Sequence, residues 1–290
     1  MTLTDLLERR INDWKTGRSR RRVLVLDDLR AGYIPIAKVA STSLRLHLCR
    51  RQARLFCPDE AAQDPRTLQK CMEKRIRKTL GVDETRRLAT THFLFAFVRN
   101  PITRLYSCYL DKVVKAARLG EECRLRLYGL SSDMSLDEFV RCIAEIPDAQ
   151  SDQHFRSQHL YVRADNEWLV QFLGKFERLN ADWARLSTRL ALDEIPAIQR
   201  STGAGSALAK VPMKRETARI AVDRYREDIE TLGYADEIEE WLRSFDNARL
   251  TSPRPCASTR RGVLTVNAGE TIHQFLSVQN QPTRQYTEKN

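Results

Sequence analysis

AGYIPIAKVASTSLRLH, residues 31–47, changes character twice along its length. The apolar stub Tyr33-Ile34-Pro35-Ile36 predicts the end of a buried strand. A turn of small residues follows, Ala37-Lys38-Val39-Ala40-Ser41-Thr42-Ser43, and then a helical pattern carrying Leu44, Leu46 and Leu48. The first amides of a helix have no partner within it, and the helix dipole favours negative charge there. A strand–turn–helix with a lysine, three hydroxyls and little side-chain bulk is therefore suited to holding an anion. The same residues also fit a plain helix cap beside a solvated lysine. The rest of the chain decides between the two.

The 290 residues carry a net charge of +11, with 42% hydrophobic and 30% charged side chains. Those fractions are ordinary for a folded domain with an ample core. The charge points to an anionic ligand, whether nucleotide, acidic glycan or nucleic acid. The cluster Arg20-Arg21-Arg22 reads as the solvated entry to a strand, and no zinc-finger, RNP or helix-turn-helix pattern supports nucleic acid. No apolar run reaches the roughly 18–20 residues of a membrane span. The N-terminal MTLTDLLERRINDWK is too charged and amphipathic for a secretory signal, so a cytoplasmic setting is expected. Seven scattered cysteines without a C-x-x-C pair predict reduced thiols, with neither a disulfide framework nor a zinc site.

Residues 2–15 carry an amphipathic helical pattern, and Val23 to Leu26 form a short apolar strand. The helix begun at the turn continues to about Phe56, and residues 57–90 read as polar and mostly helical. His92 to Val98 is a continuous apolar run ending at Arg99, the pattern of a fully buried parallel strand. Asn100-Pro101 then opens a helix, Asn as cap and Pro in the first turn. A second helix over 135–145 starts from Ser135, and 151–163 reads as a loop over the core. Trp168 to Leu173 is another strand candidate, with helices over 180–191, 214–232 and 235–245 after it. The expected architecture is α/β, a parallel sheet flanked by helices, in one domain over 1–248, with a weakly ordered appendage over 249–290 that includes a hairpin at 262–276. Ligands of such sheets sit at the carboxyl ends of the strands, where both the Lys38 turn and Arg99 fall.

Arg99 and Ser107 stand eight residues apart, across a strand end and into the helix, within joint reach of one phosphate. Read singly, Arg99 could equally cap the sheet with Ser107 packed upon it. Together, two segments resemble a known pair. IPIAKVASTSLR is similar to the 5′-phosphosulfate loop of sulfotransferases, and FAFVRNPITRLYSCYLDKV resembles their 3′-phosphate motif. The second match follows the V-R-D-P and R-L-x-S-x-Y pattern of carbohydrate sulfotransferases of the chondroitin and dermatan 4-O type, through Val98, Arg99, Asn100, Pro101, Arg104, Leu105, Ser107 and Tyr109. Asp152-x-His154-Phe155-x-x-Gln158 resembles that branch's D-x-H-W-x-x-Q, and Phe172 to Glu177 resembles its F-I-G-K-F-E. The loop VASTS also looks like that of the uronosyl 2-O-sulfotransferases. Departures from the pattern are Pro35 three residues before Lys38 instead of adjacent to it, Ser41 for Cys, Leu44 for an aromatic, Asn100 for Asp and Phe155 for Trp.

The resemblance implies a sulfotransferase fold related to P-loop NTPases, and 3′-phosphoadenosine 5′-phosphosulfate (PAPS) as donor. By it, Lys38 and the backbone and hydroxyls of Val39, Ala40, Ser41, Thr42 and Ser43 hold the 5′-phosphosulfate, while Arg99 and Ser107 hold the 3′-phosphate. The acceptor is expected to be a carbohydrate hydroxyl, with no metal required. Lys38 donates to the leaving oxygen, and a base takes the acceptor's proton. His154 is nominated as base because imidazole titrates in the useful range; His92 and Glu177 compete for the role. His154, Gln158 and Glu177, with Lys175, are expected around the acceptor, and Arg200, Ser201 and Lys210 over the nucleotide. A P-loop kinase relative, an inactive sulfotransferase-like chain and a polyanion-binding module are the alternatives. The first lacks G-x-x-x-x-G-K-[ST], since Lys38 precedes the hydroxyls and the turn has no glycine.

Overall fold

A computed structural model describes residues 21–56, 64–123, 125–192 and 208–250, with side chains up to residue 246. All of these fall in the first of the chain's two units, Met1–Thr251. The predicted helix over 2–15, the loop residues Arg200 and Ser201, and the hairpin at 262–276 lie outside the described residues.

The centre is a five-stranded sheet. Strands β1 (Arg21–Leu26) and β2 (Ala31–Ile34) form an antiparallel pair joined by a single 3-10 turn, with Leu24 opposite Tyr33. β3 (Arg77–Leu80) pairs antiparallel with β1 on its other side. β4 (Phe93–Val98) lies parallel to β2, with Ile34 beside Ala96. A two-residue hairpin, β5 (Arg163–Ala164) and β6 (Glu167–Trp168), stands apart from the sheet. β7 (Phe172–Lys175) then lies parallel to β4, with Val98 beside Lys175. The sheet order is β3-β1-β2-β4-β7. The sheet is thus mixed, with its parallel part confined to β2, β4 and β7. β4 is central to that part, which is why FLFAFV is apolar throughout and buried from Leu94 to Val98.

Helices flank the sheet. α1 (Ser41–Phe56) packs on α2 (Pro65–Ile76), which leads into β3 and then α3 (Val82–Ala89). α4 (Pro101–Tyr109) starts at the Asn100 cap, whose Oδ1 accepts from Ile102 and Thr103 N–H, and runs through a π turn, Leu110–Val114, to Arg118. α5 (Leu136–Ala144) is capped by Ser135 and closed by Glu138 reaching back to it. α6 (Leu179–Leu190) lies on β7. α7 (Arg215–Arg224), which packs on α5, breaks at Tyr225 before α8 (Arg226–Thr231), and α9 (Ala235–Leu250) closes the domain.

The sheet is mixed where a parallel one was expected, His159–Val162 form a helical turn within the segment read as a loop, and two strands move. Residues 77–80 form a strand within the segment read as helical. RKTL has no apolar alternation because β3 is an exposed edge, where basic side chains guard against further pairing. The last strand begins at Phe172 rather than Trp168, which is exposed in the hairpin. Gly174 fits β7 against the sheet: a Cβ there would lie 2.3 Å from the Phe97 ring, itself stacked on Trp183 at 6.2 Å. The sheet's geometry brings the carboxyl ends of β2, β4 and β7 into one row, so that Lys38, Arg99 and Glu177 all emerge on the same side.

Candidate active site

The turn after β2 is bent into an unusual shape. Lys38 has φ +70° and Ala40 φ +50°, with Val39 fully buried between them. Left-handed backbone costs a non-glycine residue about 1–2 kcal/mol, so surrounding contacts must hold it. Two arginines do. Arg99 Nη1 donates to Lys38 O at 3.4 Å, and Arg104 Nε donates to Ala37 O at 2.9 Å. Left-handed residues alternating with others turn successive amides inward, a concavity that binds anions. The first helical hydrogen bond of α1 runs from Leu44 N–H to Ala40 O, so the amides of Ser41, Thr42 and Ser43 precede it. Their side chains are only partly covered, and α1 has no acidic residue in its first turn to neutralise that end.

α4 lies along this turn. Arg99, Thr103, Ser107 and Asp111 follow one another at four-residue steps, on successive turns of one side. Arg99 Nε donates to Thr103 Oγ1 at 3.0 Å, and the guanidinium sits 4.5 Å over the Phe176 ring, almost wholly buried. Lys38 spans the stripe: its carbonyl meets Arg99, while its ammonium lies 3.1 Å from Asp111 Oδ2. Ser107 is buried between those two contact points along the helix. Burial pulls the Lys38 ammonium below its ordinary pKa, with Asp111 pulling against it. Burial alone would raise Asp111, but Lys112 and Lys38 override it and hold the carboxyl down to about 2. The neighbouring Cys108 thiol is pushed up to about 12 by burial, against the pull of Lys38, Arg104 and Lys112, and so stays protonated.

His154 approaches from the loop after α5. Its Nδ1 lies 2.5 Å from Asp152 Oδ1, which also accepts His154 N–H at 2.9 Å. A carboxylate can only accept, so Nδ1 carries the proton and the lone pair of neutral His154 is on Nε2. Arg104 ties this loop to the Lys38 turn. Beyond Ala37 O, the same guanidinium donates to Arg156 O at 2.9 Å and to Gln153 O at 3.0 Å. It is one of the largest fully buried side chains.

Gln158 and Glu177, expected around the acceptor, are both bound to the β4–α4 turn. Gln158 is fully buried, accepting from Arg99 N–H and donating to Arg99 O. Glu177 accepts from Asn100 N–H at 2.8 Å and from Tyr234 OH at 3.0 Å. Lys175 Nζ donates to Gly233 O at 2.6 Å and lies over the Tyr234 ring. His92 sits at the amino end of β4, paired with Asp27, a strand's length from Lys38. Lys210 is exposed in a short turn, Leu208–Lys210. Behind the site, fully buried Asp228 accepts the Gln158 and His159 N–H groups and His159 Nδ1, each at 2.8 Å.

The sequence gives Arg104 and Asp152 places in motifs but no role of their own, and it assigns no role to Asp111 or Asp228. The local D-x-H spacing could have paired Asp152 with His154, and the four-residue period could have placed Asp111 after Ser107. The reach of Arg104 and of Asp228 depends on contacts far apart in the chain.

A turn shaped for an anion and an arginine stand at the carboxyl ends of neighbouring parallel strands, and Arg104 ties the loop of an oriented imidazole to that turn. Among the described residues no helix is long and apolar enough to cross a membrane. No curated protein matches the chain, and no solved structure does. The model of the sulfotransferase family matches residues 21–235, well over half of its length. The chain belongs to the sulfotransferase family, whose reaction is the transfer of a sulfuryl group.

Proposed function

We propose that the protein transfers a sulfuryl group from PAPS to a carbohydrate hydroxyl, with Lys38 and His154 as the catalytic residues. The observation that carries this reading is the Arg104 guanidinium, which joins the Lys38 turn and the His154 loop through three carbonyls. The turn that carries Lys38 and the loop that carries His154 are thereby tied to one buried side chain.

The residues present fit the donor's anionic groups. The left-handed turn at Lys38 and Ala40 and the early amides of α1 suit a phosphosulfate, and Arg99 with Ser107 suits the 3′-phosphate. When bound, PAPS supplies an activated sulfuryl group whose leaving oxygen belongs to a phosphate. Lys38 donates to that oxygen as negative charge develops on it, the kind of preorganised stabilisation that dominates such transfers. His154 Nε2 takes the acceptor hydroxyl's proton as the new S–O bond forms and the old one breaks. Asp152 keeps Nε2 in the accepting tautomer and stabilises the imidazolium.

The test is transfer of radiolabelled sulfate from PAPS to a panel of mono- and oligosaccharides. Lys38→Ala and His154→Ala are expected to lower the rate by about 10²–10⁴-fold each. Labelling of every acceptor at the rate of a protein-free control would contradict the reading.

A further inference from the structure

Lys38 and Lys112 share a single carboxylate oxygen. Asp111 Oδ2 lies 3.1 Å from Lys38 Nζ and 2.9 Å from Lys112 Nζ. Lys38 belongs to the anion-shaped turn, whereas Lys112 is the next residue to Asp111 on the same helix. The two contacts differ in kind: one crosses between elements and the other is local.

We propose that Asp111 is the resident counter-ion of Lys38, holding its ammonium while the site is empty and competing for it with the donor nucleotide's phosphate. The inference rests on the donor site put forward above. When Lys38 turns to a phosphate, Asp111 keeps Lys112, so no carboxylate is left unpaired in the half-buried site. When the nucleotide product leaves, Asp111 takes Lys38 back. Its carboxyl is ionised at every working pH, so the competitor is always available. Lys38 is largely buried, and burial disfavours its charge; the Asp111 carboxylate, 3.1 Å away, pulls the other way. Asp111 also sits in the π turn of α4, a local departure from regular helix that recurs at functional sites.

A positioning role of this kind has a sign that a merely structural ion pair lacks. Losing a structural pair loosens the site; losing a competitor tightens it. The experiment is a calorimetric titration with 3′-phosphoadenosine 5′-phosphate on four full-length proteins: wild type, Asp111→Asn, Lys38→Met and the double variant. Asp111→Asn is expected to bind the nucleotide about tenfold more tightly than wild type, but to change affinity less than about twofold where Lys38 is already Met. In catalysis it lowers steady-state turnover through slower product release, while the single-turnover rate changes less. Thermal unfolding of Asp111→Asn checks that the variant is folded.

Unchanged or weaker nucleotide binding by Asp111→Asn overturns the proposal and leaves a structural ion pair. Equal tightening in both backgrounds also overturns it, since Asp111 then acts by through-space repulsion and not through Lys38. Absence of nucleotide binding in wild type fails the donor site itself, and this inference with it.

Discussion

Gln158 holds both main-chain polar groups of Arg99: its Oε1 accepts Arg99 N–H at 3.0 Å, and its Nε2 donates to Arg99 O at 2.7 Å. Asp228 in turn holds the Gln158 N–H, so a buried carboxylate on α8 fixes an amide that fixes the arginine. Arg99 enters the site from a backbone that cannot rotate freely.

Gln158→Leu leaves two buried groups of Arg99 without partners. A destabilisation of about 2–6 kcal/mol follows, with weaker nucleotide binding, because each unsatisfied buried group costs about 1–3 kcal/mol. Urea denaturation and titration of the same variant measure the two effects. Unchanged stability would show that the clamp is unimportant.

Arg104→Lys keeps the charge and loses the fork. A single ammonium cannot serve three separately placed carbonyls, so at least one of Ala37, Gln153 and Arg156 loses its donor. A stability loss of about 1–3 kcal/mol is expected, with transfer reduced far more than folding. Wild-type activity in this variant would separate the Lys38 turn from the His154 loop.

Asp152→Asn tests the orientation of the base. An asparagine can present its amide N–H to Nδ1 and so favour the tautomer with the proton on Nε2. Turnover is expected to fall about 10²–10⁴-fold while nucleotide affinity stays within about twofold, because only proton transfer is affected. Loss of nucleotide affinity in parallel would assign Asp152 to folding instead.

His159 makes part of the stability pH-dependent. Burial alone would lower its pKa from 6.5, but the hydrogen bond and charge of Asp228, with Glu227 and Asp148, outweigh it and raise the value. A raised pKa in the folded state means that protonated His159 stabilises the fold. That contribution is complete below the ordinary value of 6.5 and is lost as pH rises through the elevated one. Stability should therefore decline above about pH 6.5, and His159→Gln should flatten that decline relative to wild type. Denaturation midpoints across pH 5–9 at about half-unit steps provide the check. An unchanged slope in the variant would contradict the assignment.

The elements that announce themselves locally were legible in the sequence. Asn100-Pro101 and Ser135 open the helices they were expected to open, and the apolar run into Arg99 is the middle strand of the sheet's parallel part. β3 was not legible, because an edge strand held by pairing to β1 needs no apolar face of its own. The start of β7 was misplaced for a related reason: Trp168 looks like a core aromatic but packs outside under the Arg163 guanidinium, 5.2 Å from its ring. In the sequence, Lys38 is marked by the small-residue turn after one strand, and Arg99 with Ser107 by an eight-residue spacing that takes its meaning from the resemblance. Gln158 and Glu177 were expected around the acceptor; their bonds to the Arg99 and Asn100 N–H groups join distant segments and could not be read from spacing. The roles of Arg104 and Asp111 emerge only when segments dozens of residues apart meet.

In the proposed reaction the Lys38 turn and Arg99 together hold the donor nucleotide. Calorimetric titration with 3′-phosphoadenosine 5′-phosphate, set beside adenosine diphosphate and the Arg99→Ala variant, tests it most directly. Micromolar binding by the wild type is expected, at least about tenfold weaker for the nucleotide lacking the 3′-phosphate and for Arg99→Ala. Equal affinity for the two nucleotides, or wild-type affinity in Arg99→Ala, would contradict the account.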